Sequence, residues 1–451
     1  MTQCTPKARV HLHSQRPLDI QFDAPAISSD GGGILLRQVD DRLGLSSWFA
    51  ECLPDNRRRG RIRHSRQEQV RQRLFQIALG YEDCNDADRL RHDRLLRAIC
   101  GRDPEDEIGL SSQPTLSRLE NAIDGATLCR LLNRFEDRYV DGLDADTEVV
   151  VLDIDATCDP THGGQQLSFF HGFYDTYMYH PLLLFDGEGE LVSVLLRPGN
   201  NHASRGAIGI LERVIRKLKR RFADVQIVVR GDSGFAMPKL MQRVEALNDE
   251  LGDIEYVFGL ARNPALERLA AEPLAEARCR YVQSRRTVQY ITADHYAAAS
   301  WPHHRRVVIK AEWMSYGANP RFVVTSLHDF SPDLIYRAYC QRGQCENYIK
   351  DLKNALFADR LSCSTWRANF FRLLLHAAAY RLMFALRQAV RTISPQRGRW
   401  QFDTLRLRLL KVAAWVTRSA RRIVVRLPRS FPLADLFRAL AAALDPPPEP
   451  V

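Results

Sequence analysis

The chain has 451 residues and a mass of 51.6 kDa. At roughly 100–200 residues per domain, that length predicts two to four domains and a core that needs no disulfide or metal staple. With 45% hydrophobic and 26% charged residues, wholesale disorder is excluded. Lys plus Arg number 64 against 54 Asp plus Glu, a formal net charge of +10. Only eight of those cations are Lys, which leaves 56 Arg. Arg is the better bidentate phosphate ligand, so the balance points to a polyanionic partner. A GC-rich genome choosing Arg codons would give the same composition.

Residues 1–15 are polar and lack the apolar core of a signal peptide. The most apolar stretch, 370–386, contains Arg372, His376 and Arg381 and is a poor membrane span. The ten Cys form no CxxC pair; the nearest two, Cys340 and Cys345, are five apart. That spacing argues against zinc ribbons and redox motifs. The expectation is a cytoplasmic protein with reduced thiols and no membrane partner.

In chain order, residues 1–140 read as mainly helical after a short strand at 18–22 and a turn at Asp30-Gly-Gly-Gly33. Ser65-x-x-Glu68 is a capping-box pattern ahead of Val70, Leu74 and Ile77. Pro114-Thr115 starts another short helix. Arg66, Arg71, Arg73, Arg89, Arg91 and Arg94 would suit a helix-turn-helix DNA reader, or equally a helical domain with solvated Arg. Residues 57–66 hold six Arg and read as a phosphate-contacting loop.

Residues 147–260 alternate strands and helices. Apolar runs at 148–155 and 225–232 end in carboxylates, 166–179 is aromatic-rich and reads as a strand and turn, 191–196 is a third short strand, 204–222 has helical periodicity, and 254–260 is a strand. The pattern predicts an α/β sheet, and three strands before the first helix resemble the order of a ribonuclease H-like fold. Residues 262–330 read as a β-rich insertion with strands at 288–292, 305–313 and 321–327. Residues 333–365 form a helix completing the core, and 366–451 a basic helical region. From 391 to 429 there are eleven cations and one acid, Asp403, a surplus equal to the whole formal charge. Pro446-Pro-Pro-Glu-Pro450 reads as a disordered tail.

Three acidic contexts could carry chemistry. Asp153 and Asp155 end one strand two residues apart, so both point to one face. Asp232 follows another strand and precedes a glycine turn. Both lie where α/β sheets bind ligands, at the carboxyl edge of the strands, although an Asp there can also be a simple cap. The third context is Tyr339-x2-Arg342-x3-Glu346-x6-Lys353, whose spacing on an α-helix falls on one face. An exposed Arg342–Glu346 pair would produce part of that pattern. Asp159, His162 and His171 could face the same place or be loop polar residues. No Walker motif or GxSxG is present.

The chain resembles a DDE transposase of a bacterial insertion sequence. The Tyr-x2-Arg-x3-Glu-x6-Lys spacing is the signature of one large group. Val151-Leu-Asp-Ile-Asp-Ala-Thr157, Arg230-Gly-Asp-Ser-Gly-Phe235, Tyr256-Val-Phe-Gly-Leu-Ala-Arg-Asn263 and Leu356-Phe-Ala-Asp-Arg360 look like the thirteen-eighty group of insertion sequences. The resemblance covers about residues 20–430. It implies a ribonuclease H-like core interrupted by a β-rich insertion, with Asp155, Asp232 and Glu346 as catalytic acids and metal ligands. Asp153 is the rival first acid. It further implies Mg²⁺ (or Mn²⁺), since hard cations prefer carboxylate oxygens. Tyr339, Arg342 and Lys353 would meet DNA phosphates beside the site. The implied partners are double-stranded DNA, as terminal inverted repeats and target, and a second protomer in the synaptic complex. The implied location is the bacterial nucleoid. A catalytically silent DNA-binding derivative and a nuclease without strand transfer are the alternatives.

Overall fold

Apolar β-branched runs interrupted by amphipathic helices build the central sheet of the protein. The computed structural model describes residues 8–11, 16 and 18–445. The expected tail at 446–450, and most of the N-terminal 15 residues, lie outside that range. The chain divides into two units: Ser47–Arg57 with Ser117–Ala385, and Met1–Ser46 with Arg58–Leu116 and Leu386–Val451.

The first unit holds a nine-stranded mixed sheet. In chain order its strands are β1 (Val149–Ala156), β2 (Leu182–Asp186), β3 (Leu191–Leu195), β4 (Gln226–Gly231), β5 (Ile254–Leu260), β6 (Val288–Tyr296), β7 (Arg305–Met314), β8 (Gly317–Ala318) and β9 (Arg321–Thr325). Across the sheet they run β6-β7-β9-β5-β4-β1-β2-β3, with β8 paired to β7. β1, β2 and β3 form an antiparallel meander. β4 is parallel to β1, and β5 to β4. Parallel strands need crossovers. Helices α1 (Ala207–Arg221) and α2 (Pro238–Leu251) supply them.

Ile210, Leu211, Val214 and Leu218 of α1 pack with Leu152 and Ile154 of β1 and Ile227 and Val229 of β4. Burying each such side chain contributes about 1.5–3 kcal/mol. The pleat then fixes the rest: with Leu152 and Ile154 turned to this helical layer, Asp153 and Asp155 share the opposite face.

Residues 262–330 contain helices Pro264–Leu269 and Ala271–Ser284 ahead of the strands. The side chain of Asn263 accepts from Ala265 N and Leu266 N, both at 3.0 Å, and Pro264 fills the first turn, a cap the strand-rich reading passed over. The strands of this stretch extend the same sheet beyond β5.

The chain continues through α3 (Pro332–Cys340) and α4 (Gly343–Lys350) to the long helix α5 (Trp366–Ile393). The cations inside the apolar face of α5 are satisfied. Arg372 Nη2 donates to Glu120 Oε2 at 2.7 Å. Arg381 donates to the Phe135 and Leu191 carbonyls at 2.7 and 2.9 Å. No helix among the described residues is long and apolar enough to cross a membrane.

The second unit packs Leu35, Leu36, Val39, Leu74 and Ile77 from helices Gly33–Leu43 and Arg66–Leu79 in its interior. Two of the arginines considered for DNA reading hold this unit together. Arg71 donates to the buried Asp40 at 2.8 Å, and the fully buried Arg73 donates to the Glu82 carbonyl at 2.9 Å. The C-terminal region expected to be helical contains a hairpin, Ala414–Arg418 with Ile423–Arg426, which adds Ile27–Ser28 as a third strand. Val416, Thr417, Ile423, Val424 and Val425 are β-branched, which favours a pleated surface.

Candidate active site

Asp155 lies at the carboxyl end of β1, only 8% exposed. Its Oδ1 accepts from Ala156 N at 2.8 Å, and its Oδ2 accepts from Arg342 Nη2 at 2.9 Å. Burial pushes its carboxyl from 3.8 up to about 6; Arg342 opposes the shift, and Asp232 and Glu346 add to it. Asp232 and Glu346 therefore both act on Asp155 at this end of the sheet. Asp232 follows β4, half-buried, and its Oδ1 accepts from Gly234 N at 2.8 Å, closing the turn. Glu346 is exposed on α4. Its side chain makes no hydrogen bond or ion pair among the described residues.

Asp153 has a different environment. It is 1% exposed and bidentate with Arg230, at 2.7 and 2.6 Å. The parallel register sets Arg230 directly beside it. Arg230 Nη1 also donates to the Ala338 carbonyl at 2.8 Å, tying β1 and β4 to α3. Burial pushes the Asp153 carboxyl up while Arg230 holds it down. With both oxygens committed, Asp153 acts as a clamp beneath Asp155. Sequence reasoning missed this role of Arg230, although the residue stood in the quoted Arg-Gly-Asp phrase.

The Tyr339–Lys353 signature does not lie on one continuous helix. α3 ends at Cys340, Gln341 and Arg342 form a turn, α4 begins at Gly343, and the last turn widens to π geometry over Asp351–Ala355. Arg342 consequently reaches Asp155 rather than pairing with Glu346. Its Nε is buried without a hydrogen-bond partner among the described residues, and Asp155 and Asp232 hold its guanidinium above its usual value although burial works against the charge.

Tyr339 packs against Val257, Val308, Val323 and Ile335. It also lines a cleft of about 430 Å³ with Ser233, Gly259, Arg262 and Arg321. Gly259 has to lack a side chain, because a Cβ there would collide with the Tyr339 hydroxyl. Lys353 donates to the Cys158 carbonyl, 3.8 Å from the buried Asp159 and 4.0 Å from Asp359. Burial drives the Asp159 carboxyl well above its usual range.

Residues 166–180 place the sequence candidate His171 beside Tyr174 and His180, which the sequence left unassigned. Tyr174, His171 and His180 cluster with ring centroids 5.1–5.8 Å apart. The Tyr174 hydroxyl is raised by burial and, to a lesser degree, by Cys158, Asp155 and Asp232. Its only sequence signal was aromatic density.

Among the described residues no three His, Cys, Asp or Glu side chains converge closely enough to hold a metal ion. The donor set itself suits a hard divalent cation: Asp155 is raised first by burial and further by Asp232 and Glu346, a cost to the charged form that a bound cation would relieve. In this conformation the Arg342 guanidinium supplies the positive charge at Asp155.

The fold and site define a mixed α/β protein with a carboxylate centre at the carboxyl edge of its parallel strands. The chain matches the family described as "Transposase DDE domain group 1" over residues 10–448 and belongs to it. It is thus a DDE transposase by family, a class of DNA-cutting enzymes that generally use divalent metal ions. No curated protein matches it. Among solved structures it is similar to a cryo-EM structure of the piggyBac transposase synaptic complex with hairpin DNA. That similarity is 12% identity over 94% of this chain and 87% of that one, with a TM-score of 0.40.

Proposed function

We propose that the protein cuts DNA at the terminal inverted repeats of an insertion sequence and joins the freed ends to target DNA. The observation that carries this reading is the coupling of Asp155 to Asp232 and Glu346 at the carboxyl edge of β1 and β4. The β3-β2-β1-β4-β5 order supports a ribonuclease H-like core beneath them. In the first step water attacks a phosphodiester and frees a 3′-hydroxyl. In the second, that hydroxyl attacks a target phosphodiester and releases another 3′-oxygen. The number of ester bonds is conserved in the second step, so no nucleotide triphosphate is needed.

Asp155, Asp232 and Glu346 would hold Mg²⁺, or Mn²⁺ in its place, which when bound activates the attacking oxygen and stabilises the leaving one. Asp153 and Arg230 fix the strand that presents Asp155. Arg342 retains donors for a phosphate oxygen beyond its bond to Asp155, including the buried Nε. Lys353 anchors the loop after β1 through the Cys158 carbonyl and, with Tyr339, would meet the DNA backbone beside the site. The exposed cations of 58–63 and 421–429 supply phosphate contacts outside the site, giving a salt-dependent affinity. Two ends are joined together, which calls for two protomers on DNA at the nucleoid.

The test supplies labelled element ends and a plasmid target with Mg²⁺. Joined product supports the proposal. Cut product without joining makes the protein a nuclease, and binding without cutting makes it a silent DNA-binding derivative.

A further inference from the structure

Between residues 166 and 179 the chain exposes an unusual density of aromatic surface. Phe169–His171 pairs antiparallel with Thr176–Tyr179. Phe169, Phe170, Phe173, Tyr174 and Tyr177 are 40, 49, 84, 38 and 61% exposed. Contiguous exposed apolar surface on a soluble fold marks a binding site. The base of the hairpin is fixed, so the rings cannot fold away. Tyr179 is fully buried, donates to the Gln166 carbonyl at 2.7 Å and accepts from Asn369 at 3.2 Å. Gly199 passes so close that a Cβ there would meet the Met178 and Phe169 carbonyls. The turn is closed by Asp175 at φ 51°.

The hairpin continues from the end of β1: Thr176–Tyr179 pairs antiparallel with Asp159–Pro160, just past Asp155 in the chain. Beside Tyr174 stand two ring nitrogens that have no hydrogen-bond partner among the described residues: His180 Nε2, on a residue 3% exposed, and His171 Nδ1. Burial lowers His180 to about 4, so its ring is neutral. Residues 161–180 contain no Lys or Arg. The cation that reaches this cluster, Arg197, is 3% exposed and donates to the His180, Ala203 and Arg205 carbonyls, so the exposed surface is flat aromatic faces without a free cation, which suits a base better than a phosphate.

We propose that the 169–179 hairpin is a stacking platform for unpaired bases at the DNA end held by the carboxylate site. Phe173 and Tyr177 provide faces at the tip, and Tyr174 with His171 and His180 receives a base edge nearest the acids. This rests on the DNA-processing reading of that site. Stacking on an aromatic side chain is sequence-tolerant, so any oligonucleotide end can serve as probe.

The experiment measures binding of the full chain, in EDTA, to two duplexes. One is blunt; the other has three unpaired terminal nucleotides carrying 2-aminopurine. Wild type should prefer the unpaired end by about tenfold or more, with quenched 2-aminopurine fluorescence. In Phe173→Ala/Tyr177→Ala that ratio should fall toward one, and Phe173→Trp should restore it. Equal affinity of wild type for both duplexes, or a ratio unchanged in the double variant, overturns the inference even if element ends are still cut and joined. Self-association without DNA that is lost in the double variant overturns it too, in favour of a second copy as occupant. A preference for unpaired ends in a protein that cuts nothing keeps the platform and removes the transposition reading.

Discussion

Arg342 Nη2 donates to Asp155 Oδ2 at 2.9 Å, joining residues 187 positions apart. The bond exists because the helical path breaks at Gln341 and Arg342, which turns the guanidinium inward to the end of β1. It couples the signature around Glu346 to the first acid.

This coupling has a pH consequence. Arg342 lowers the Asp155 carboxyl from where burial alone would set it. Removing the cation raises that value above about 6. The carboxylate is the active form, so in Arg342→Gln the acid limb of the pH–rate profile should move to higher pH. End cleavage should fall about 10- to 100-fold at pH 6.5, with partial recovery at pH 8.5. A uniform loss at every pH would assign Arg342 to phosphate binding alone.

Asp153 and Asp155 should separate by readout. Asp153→Asn leaves Arg230 as a buried, uncompensated cation, a loss of about 3–5 kcal/mol in urea unfolding. Replacing both partners, as Asp153→Leu/Arg230→Met, should recover most of it. Asp155→Asn should fold normally and abolish cleavage. A stable, inactive Asp153→Asn would make Asp153 the first acid.

Metal-free stability carries its own sign. The folded value of Asp155 is raised from 3.8 to about 6, so its proton-linked contribution is complete below about pH 4 and is lost as pH rises through 6. Asp155→Asn is neutral throughout. In EDTA its Tm should exceed wild type by several degrees at pH 8, and the gap should close near pH 4. A less stable Asp155→Asn at pH 8 would mean that Arg342 stabilises the carboxylate outright.

Gly259 and Tyr339 form a steric pair. Gly259→Ala should cost about 1–3 kcal/mol by overpacking, and Tyr339→Phe in that background should recover part of it by removing the colliding hydroxyl. Independent, additive losses in the unfolding free energies would contradict the contact.

Much of the site could be read from the chain because β1 and β4 are apolar runs that end in acids, and the pleat alone puts Asp153 and Asp155 on one face. Telling the surroundings of those two apart required the register that sets Arg230 beside Asp153, which no local pattern encodes. The turn at Gln341 was not legible because the Tyr339–Lys353 spacing also fits one unbroken helix face. At Ser65 only half of the capping box forms. Ser65 accepts from Glu68 N at 3.0 Å, while the Glu68 carboxylate is taken by His64 and Arg102. The C-terminal hairpin was masked by Arg and Leu spacing that suits a helix, and its partner strand at Ile27–Ser28 lies nearly 400 residues away in sequence.

The most direct measurement is end cleavage and joining with Mg²⁺, on the element's own ends, by wild type and by Asp155→Asn, Asp153→Asn, Asp232→Asn and Glu346→Gln. The expected result is joined product from wild type and none from Asp155→Asn, Asp232→Asn or Glu346→Gln, each still folded and bound to DNA. Full joining by Glu346→Gln or Asp232→Asn would contradict a three-carboxylate centre, and a wild type that binds those ends without cutting them would contradict the enzyme itself.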